Sequence, residues 1–441
     1  MENIKLFNRG LKQKVYWYLA KLAIAQRTLW RGSKHNTARV KMGGVLHVNT
    51  FDQGGGAAKV AVDLLQVQQE NGLISKLLVG TKKGGRKDVL QAQYEGGVSS
   101  RIKNKVEQVT HFQGIFSPSM KPYLRRILQK EKISVVHLHN LHGQPGYFAL
   151  TDLLRTDPGL KLIWTLHDMQ ALTGHCAHSF SCERWKEQCG SCPALDAYPA
   201  LAIDVTQELR SIKAQIYRQL KVQIVTPSDW LNKMAKQSIL GHFPIVTIPN
   251  GVDEKVYTPL GSIESRRALG ISLTSKVVLF TAEFGTENPY KGGRFVKSLA
   301  EQYVDQDISF VCLGSNQERK EINVTYLPYV EDREVLVRWY SAADVLLYPS
   351  LADNCPLVVL EAMACGLPVL SFNTGGIPEL VQHLETGYIA KYEDAGDLQK
   401  GFELILSPGN RVKMGSKARE RVLSHFTLDR MNESYLKLYH E

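Results

Sequence analysis

Ten short runs rich in β-branched residues, interleaved with stretches of helical periodicity, constrain this chain more than any other feature. In the first half they are GVLHVNT (44–50), SKLLVG (75–80), SVVHLH (134–139), KLIWTL (161–166), VQIVTP (222–227) and PIVTIP (244–249). Helical spacing of apolar residues falls between them, as in 57–71 and 205–220. A polar stretch over 250–267 interrupts the pattern. It restarts with KVVLFTA (276–282), ISFVCLG (308–314), DVLLYPS (344–350) and LPVLSF (367–372). Strands apolar along nearly their whole length are buried on both faces, which means parallel sheets covered by helices. A chain of 441 residues exceeds one ordinary core. The expectation is two doubly wound α/β domains, 42–250 and 251–426, joined near residue 251. The tail from 410 to 441 reads as two helices broken near Thr427, the last being 427–441.

The net charge of +11 is unevenly placed. Residues 1–41 hold ten Lys or Arg against one acid, Glu2, leaving +2 for the other 400 residues. A nucleic-acid binder needs its basic residues spread over a folded domain, so that class is a distant alternative and no nucleic-acid partner is expected. Within this arm, KVYWYLAKLAIAQRTLW reads as a helix with Lys14, Lys21 and Thr28 on a narrow polar stripe. Tyr16, Leu19, Leu22, Ala23 and Trp30 cover its other side. A basic amphipathic segment with Trp and Tyr suits an anionic membrane surface; docking on its own domain is the competing reading. No apolar run is long enough to span a bilayer, and the first is broken by Lys21 without a cleavage site. The expected location is cytoplasmic, peripheral on the inner face of the membrane.

The stretch DNCPLVVLEAMACG (353–366) sets Glu361 in an apolar run, and a buried carboxylate is costly unless something satisfies it. Pro356 suits a first helical position and Gly366 a helix end. Asp353 and Asn354 then precede a helix N-terminus, where free N–H groups favour an anion such as phosphate. Glu361, about one and a half turns in, is placed to accept two hydrogen bonds from a vicinal diol such as a ribose.

Asp353, seven residues, Glu361 and then AMACGLPVLSFNTGGIPELV resemble the E-x7-E signature of retaining glycosyltransferase family 4. TLHD, IPNGVD, YKGG and DQGGGAA follow in that family's order, and the likeness runs from about residue 44 to the C-terminus. It is nearest the polysaccharide branch, of colanic-acid type, that carries a cysteine-bearing GHC…CERW…CGSCP insert, here residues 174–195. The resemblance implies the GT-B architecture, two Rossmann-like domains facing across a cleft, with helix 427–441 packing back on the first. It implies a metal-independent hexosyltransferase-type enzyme needing no cofactor for catalysis. Its donor would be a nucleotide sugar. The acceptor would be a saccharide, lipid-linked, in surface or exopolysaccharide biosynthesis. A nucleotide-sugar epimerase or a phosphorylase on the same fold is the enzymatic alternative.

By the same resemblance Glu361 holds the donor ribose, and Asp353 with Asn354 and their loop hold the sugar. The amides of Leu357 and Val358 meet the diphosphate, and Lys291 neutralises it as it leaves. The first acid is Asp where Glu is usual. The family's Arg near Lys291 is missing: Glu283 and Tyr290 stand at the candidate positions, with Arg294 a substitute.

In NTFDQGGGAAKVAVDLL the glycines let backbone approach a ligand closely, and Gly55 and Gly56 are implied to face the donor. Lys59 replaces the last glycine of a dinucleotide fingerprint. His139 and His167 end strands, and the resemblance sets His167 beside the transferred sugar in a positioning or proton-handling role. Cys176, Cys182, Cys189 and Cys192 have a spacing compatible with a structural zinc and equally with free thiols.

Overall fold

The computed structural model describes residues 43–93, 119–142, 146, 148–157 and 159–441. The basic arm, residues 1–41, lies outside the described residues. Two compact units divide the chain. The first is Met1–Pro227 with Leu231–Ile248 and Tyr435–Glu441; the second is Ser228–Trp230 with Pro249–Ser434.

The first unit holds a seven-stranded sheet of β1 (Gly44–Phe51), β2 (Ser75–Thr81), β3 (Val89–Gln91), β4 (Ile133–Leu138), β5 (Lys161–Thr165), β6 (Gln223–Thr226) and β7 (Ile245–Thr247). Its order is β3-β2-β1-β4-β5-β6-β7, parallel throughout. The second unit repeats the plan with β8 (Lys276–Thr281), β9 (Ile308–Ser315), β10 (Arg319–Glu321), β11 (Val324–Pro328), β12 (Val345–Tyr348), β13 (Val369–Phe372) and β14 (Gly387–Ala390). Their order is β10-β11-β9-β8-β12-β13-β14, and only the β10–β11 pair is antiparallel. Each sheet is doubly wound, and its chain order switches direction between β1 and β4 or between β8 and β12. Ligands of such sheets bind outside the carboxyl ends of the strands at that switch point.

All ten expected strands form. The four not anticipated are β3, β10, β11 and β14, of which three are sheet edges. Edge strands are short and can be charged, as in Arg319–Glu321, so they lack the apolar signature of a central strand. Helix Ser262–Leu269 occupies part of the polar stretch that interrupts the strand pattern and stops at Gly270, whose φ is +65°. Its Arg266 is buried and ion-paired with Asp344 at 2.8 Å, while its remaining N–H groups reach carbonyls that include Ala342 and Ser275, both at 2.9 Å. The stretch is therefore packed into the second unit. Helices Asn410–His425 and Leu428–His440 end the chain, broken at Thr427 as expected.

Candidate active site

At the switch point of the second sheet, the loop after β8 brings Lys291 to the end of β12. Two glycines make that approach possible. A Cβ at Gly292 (φ +67°) would lie 1.9 Å from the Pro349 carbonyl oxygen, and one at Gly293 would lie 2.1 Å from that of Thr286. Lys291 is ion-paired with Asp353 and donates to the Tyr348 hydroxyl at 2.9 Å. That hydroxyl donates to Asp353 Oδ2 at 2.6 Å, closing a triangle. Burial and the Asp353 charge push the Tyr348 phenol well above its ordinary pKa, so it keeps the proton it donates. Arg294 is exposed and ion-paired with Glu393.

The loop carrying Asp353 and Asn354 rests on another glycine pair. A Cβ at Gly375 (φ +55°) would come within 1.6 Å of the Asp353 carbonyl oxygen, and one at Gly376 within 2.1 Å of that of Asn354. Asn354 is buried and its side-chain oxygen accepts from the Ser228 hydroxyl. Helix Leu357–Ala364 follows, with Pro356 as its N-cap rather than its first helical residue and Gly366 left-handed (φ +71°) beyond its end. Its first hydrogen bond runs from the Val359 N–H to the Pro356 carbonyl at 3.2 Å, so the Leu357 and Val358 N–H groups precede the ladder. Glu361 is 3% exposed and accepts from the buried Tyr340 hydroxyl at 2.9 Å. Burial, then the neighbouring Glu361, raises the Tyr340 phenol, which stays protonated as a donor. Sequence reasoning missed Tyr340 because an aromatic on an amphipathic helix looks like core. A cavity of about 600 Å³ at the other end of the Glu361 helix, lined by Tyr340, Cys365, Gly366, Arg411 and Arg419, holds none of the expected site residues.

In the first unit, Gly54 (φ +86°) and Gly55 (φ +77°) turn the chain from β1 into helix Gly56–Glu70. A Cβ at Gly55 or Gly56 would meet nothing within 4 Å. Asp52 ties this loop to the end of β2 by accepting from the Lys83 and Gly84 N–H groups at 2.7 and 2.9 Å. Beside it lie four histidines, His47, His137, His139 and His167. His139 Nδ1 is 2.9 Å from His167 Nε2, and His139 Nε2 is 3.1 Å from His47 Nδ1. Burial lowers the pKa of His47 and His167 to about 4 and holds those of His137 and His139 well below the ordinary histidine value, so all four are neutral near pH 7. His47 and His137 escaped the sequence reading, although the i, i+2 spacing of His137 and His139 marks one strand face. Strand register sets His47 directly opposite His137.

The insert belongs to the same unit. Lys213 is wholly buried and donates to the carbonyls of Gln170, Thr173 and Gly174 at 2.6, 3.1 and 3.3 Å. Desolvation lowers its pKa to about 7. Cys192 Sγ lies 3.5 Å from His175 Nε2, and Cys189 Sγ accepts from the Gly174 N–H at 3.3 Å. No cysteine is in a disulfide. Among the described residues, the one group of three or more potential ligands close enough to share an ion is His47, His137 and His139; the four insert sulfurs do not form such a group.

Among the described residues, no helix is long and apolar enough to cross a membrane. The family model for Glycosyltransferase Family 4 matches residues 54–256, and that for Glycosyl transferases group 1 matches residues 275–407. The chain is 27% identical over 352 residues to the putative colanic acid biosynthesis glycosyl transferase WcaC of Escherichia coli K12, covering 77% of this chain and 85% of that one. In fold it is similar to sucrose-phosphate synthase from Thermosynechococcus elongatus (TM-score 0.67, 17% identity, 90% and 98% of the two chains). It is also similar to Anabaena HepE in complex with UDP and glucose (TM-score 0.63, 15% identity, 90% and 99%). With two doubly wound units and both families' models matched in order, the chain belongs to the family 4 glycosyltransferases of GT-B fold.

Proposed function

We propose that this glycosyltransferase is retaining and metal-independent, moving a hexosyl group from a nucleotide diphosphate sugar to a lipid-linked saccharide in surface or exopolysaccharide biosynthesis. The observation that carries the reading is the convergence, at one switch point, of Lys291, Asp353, the amides of Leu357 and Val358, and the buried Glu361. Lys291 and the helix amides supply the positive charge a diphosphate needs. On donor binding Lys291 exchanges Asp353 for the diphosphate, and Asp353 and Asn354 take sugar hydroxyls. Glu361, oriented by Tyr340, takes the ribose diol. Arg294 would reach the donor only by leaving Glu393. In the first unit Gly55 and Gly56 give a side-chain-free approach to the donor, and His167 positions the carbohydrate or handles its proton. The colanic acid enzyme's name supports the polysaccharide acceptor, and the UDP and glucose bound to HepE support the donor class.

The basic arm would bring this site to the inner membrane face. A structural zinc in Cys176, Cys182, Cys189 and Cys192 is a separate proposal, supported by His175 beside Cys192, and it requires the four sulfurs to draw closer together than they lie here. Screening UDP-, GDP- and ADP-sugars by thermal shift identifies the donor, because a ligand that binds only the folded state raises its melting temperature. With that donor, Glu361→Gln should weaken nucleotide binding and Lys291→Ala should abolish turnover while the fold survives. Near-normal transfer by either variant refutes the site.

A further inference from the structure

Gln68, on helix Gly56–Glu70, begins an unbroken row of side chains in contact that ends at the half-buried His167. Gln68 Oε1 is 2.9 Å from His47 Nε2 and also accepts from the Ser75 hydroxyl at 3.0 Å. His47 Nδ1 meets His139 Nε2 at 3.1 Å, and His139 Nδ1 meets His167 Nε2 at 2.9 Å. Gln68, His47 and His139 are each at most 1% exposed, so bulk water does not compete for these contacts.

A neutral imidazole has one N–H and one lone pair, and the hydrogen bond at one nitrogen decides the role of the other. With the Gln68 carbonyl facing it, His47 carries its proton on Nε2, and its Nδ1 accepts from His139 Nε2–H. His139 Nδ1 then accepts from His167 Nε2–H. The far side of Gln68 is consistent with this sense. Its Nε2 donates to the Tyr439 oxygen at 3.3 Å, leaving the Tyr439 proton for His137 Nδ1 at 2.7 Å and His137 Nε2–H for the Thr165 oxygen at 2.7 Å.

We propose that Gln68 is a positioning residue that, through His47 and His139, fixes the proton of His167 on Nε2. The proton placement rests on this geometry; its bearing on transfer rests on the reading that carbohydrate meets His167. A metal shared by His47, His137 and His139 is the competing use of these rings. It is disfavoured because both ring nitrogens of His137 are already held at 2.7 Å by Tyr439 and Thr165.

The test is long-range proton–nitrogen NMR on full-length protein with ¹⁵N-labelled histidine, free of ligand. His47, His139 and His167 should all show a pyrrole-like Nε2 and a pyridine-like Nδ1. Gln68→Met removes the acceptor that sets the sense and should leave His167 a mixture of tautomers, with kcat for transfer down about tenfold. Gln68→Glu keeps an acceptor facing His47 and should restore the single tautomer. The opposite tautomer in the wild type, an imidazolium, or a stoichiometric metal on these rings would overturn the proposal. So would a Gln68→Met protein whose His167 spectrum or kcat is unchanged. Wild-type protein with the expected tautomers and no turnover on any nucleotide sugar would instead refute the transfer reading.

Discussion

Removing the Tyr340 hydroxyl isolates what holds Glu361. Tyr340→Phe keeps the ring, which is 1% exposed, and deletes the donor 2.9 Å from Glu361 Oε2. A hydrogen bond to a charged group contributes about 1.5–3 kcal/mol, and little cavity forms, so that range is the expected loss. The second unit runs from Pro249 to Ser434 with Ser228–Trp230. For a unit of that size each kcal/mol shifts melting by about 2–4 °C, so its calorimetric transition should fall by roughly 3–12 °C. If the carboxylate is presented to a ribose diol, its lost orientation should also raise the nucleotide Kd about tenfold. Combining Tyr340→Phe with Glu361→Gln closes a double-mutant cycle. Because the two groups touch, the coupling energy should exceed about 0.5 kcal/mol, both for unfolding and for nucleotide binding. Additive effects in both, or a Tyr340→Phe protein that melts like the wild type, would refute a role for Tyr340 in holding Glu361.

The first unit should lose stability as pH falls from 6.5 toward 4. Unfolded histidines bind protons near pH 6.5, whereas burial keeps His47 and His167 neutral until about pH 4, despite the opposing charge of Asp168 near His167. The stabilisation is therefore present above 6.5 and drains through that window; a flat profile by urea denaturation would contradict it. Deleting residues 1–41 should release the protein from anionic vesicles and spare transfer to a short soluble acceptor, and truncated protein that still floats with vesicles would exclude the arm as anchor. If the insert holds a zinc, purified protein should carry about one atom per chain and lose it, with stability, in Cys189→Ser; metal-free protein with four readily alkylated thiols there would reject it.

What was legible in the sequence was local. Central strands announce themselves because both their faces are covered, and Glu361 because seven apolar neighbours make its charge expensive. Its partner did not show, since Tyr340 comes from a different helix and nothing in a helical pattern separates a core tyrosine from one that donates to a buried acid. His47 and His137 meet only through the register of β1 on β4, across 90 residues of chain. Tyr439 reaches His137 from the end of the last helix. The glycine pairs fall between these cases. YKGG and NTGG stand out as motifs, yet their cause is carbonyl oxygens 1.6 to 2.1 Å from where a Cβ would sit. Both pairs clear backbone at the same switch point, one under Lys291 and one under Asp353, so that a cation and an acid far apart in sequence meet. A glycine therefore signals that something must come close. Only the order of strands in the sheet says what does, and here that order brings the loop after β8 to the loop after β12.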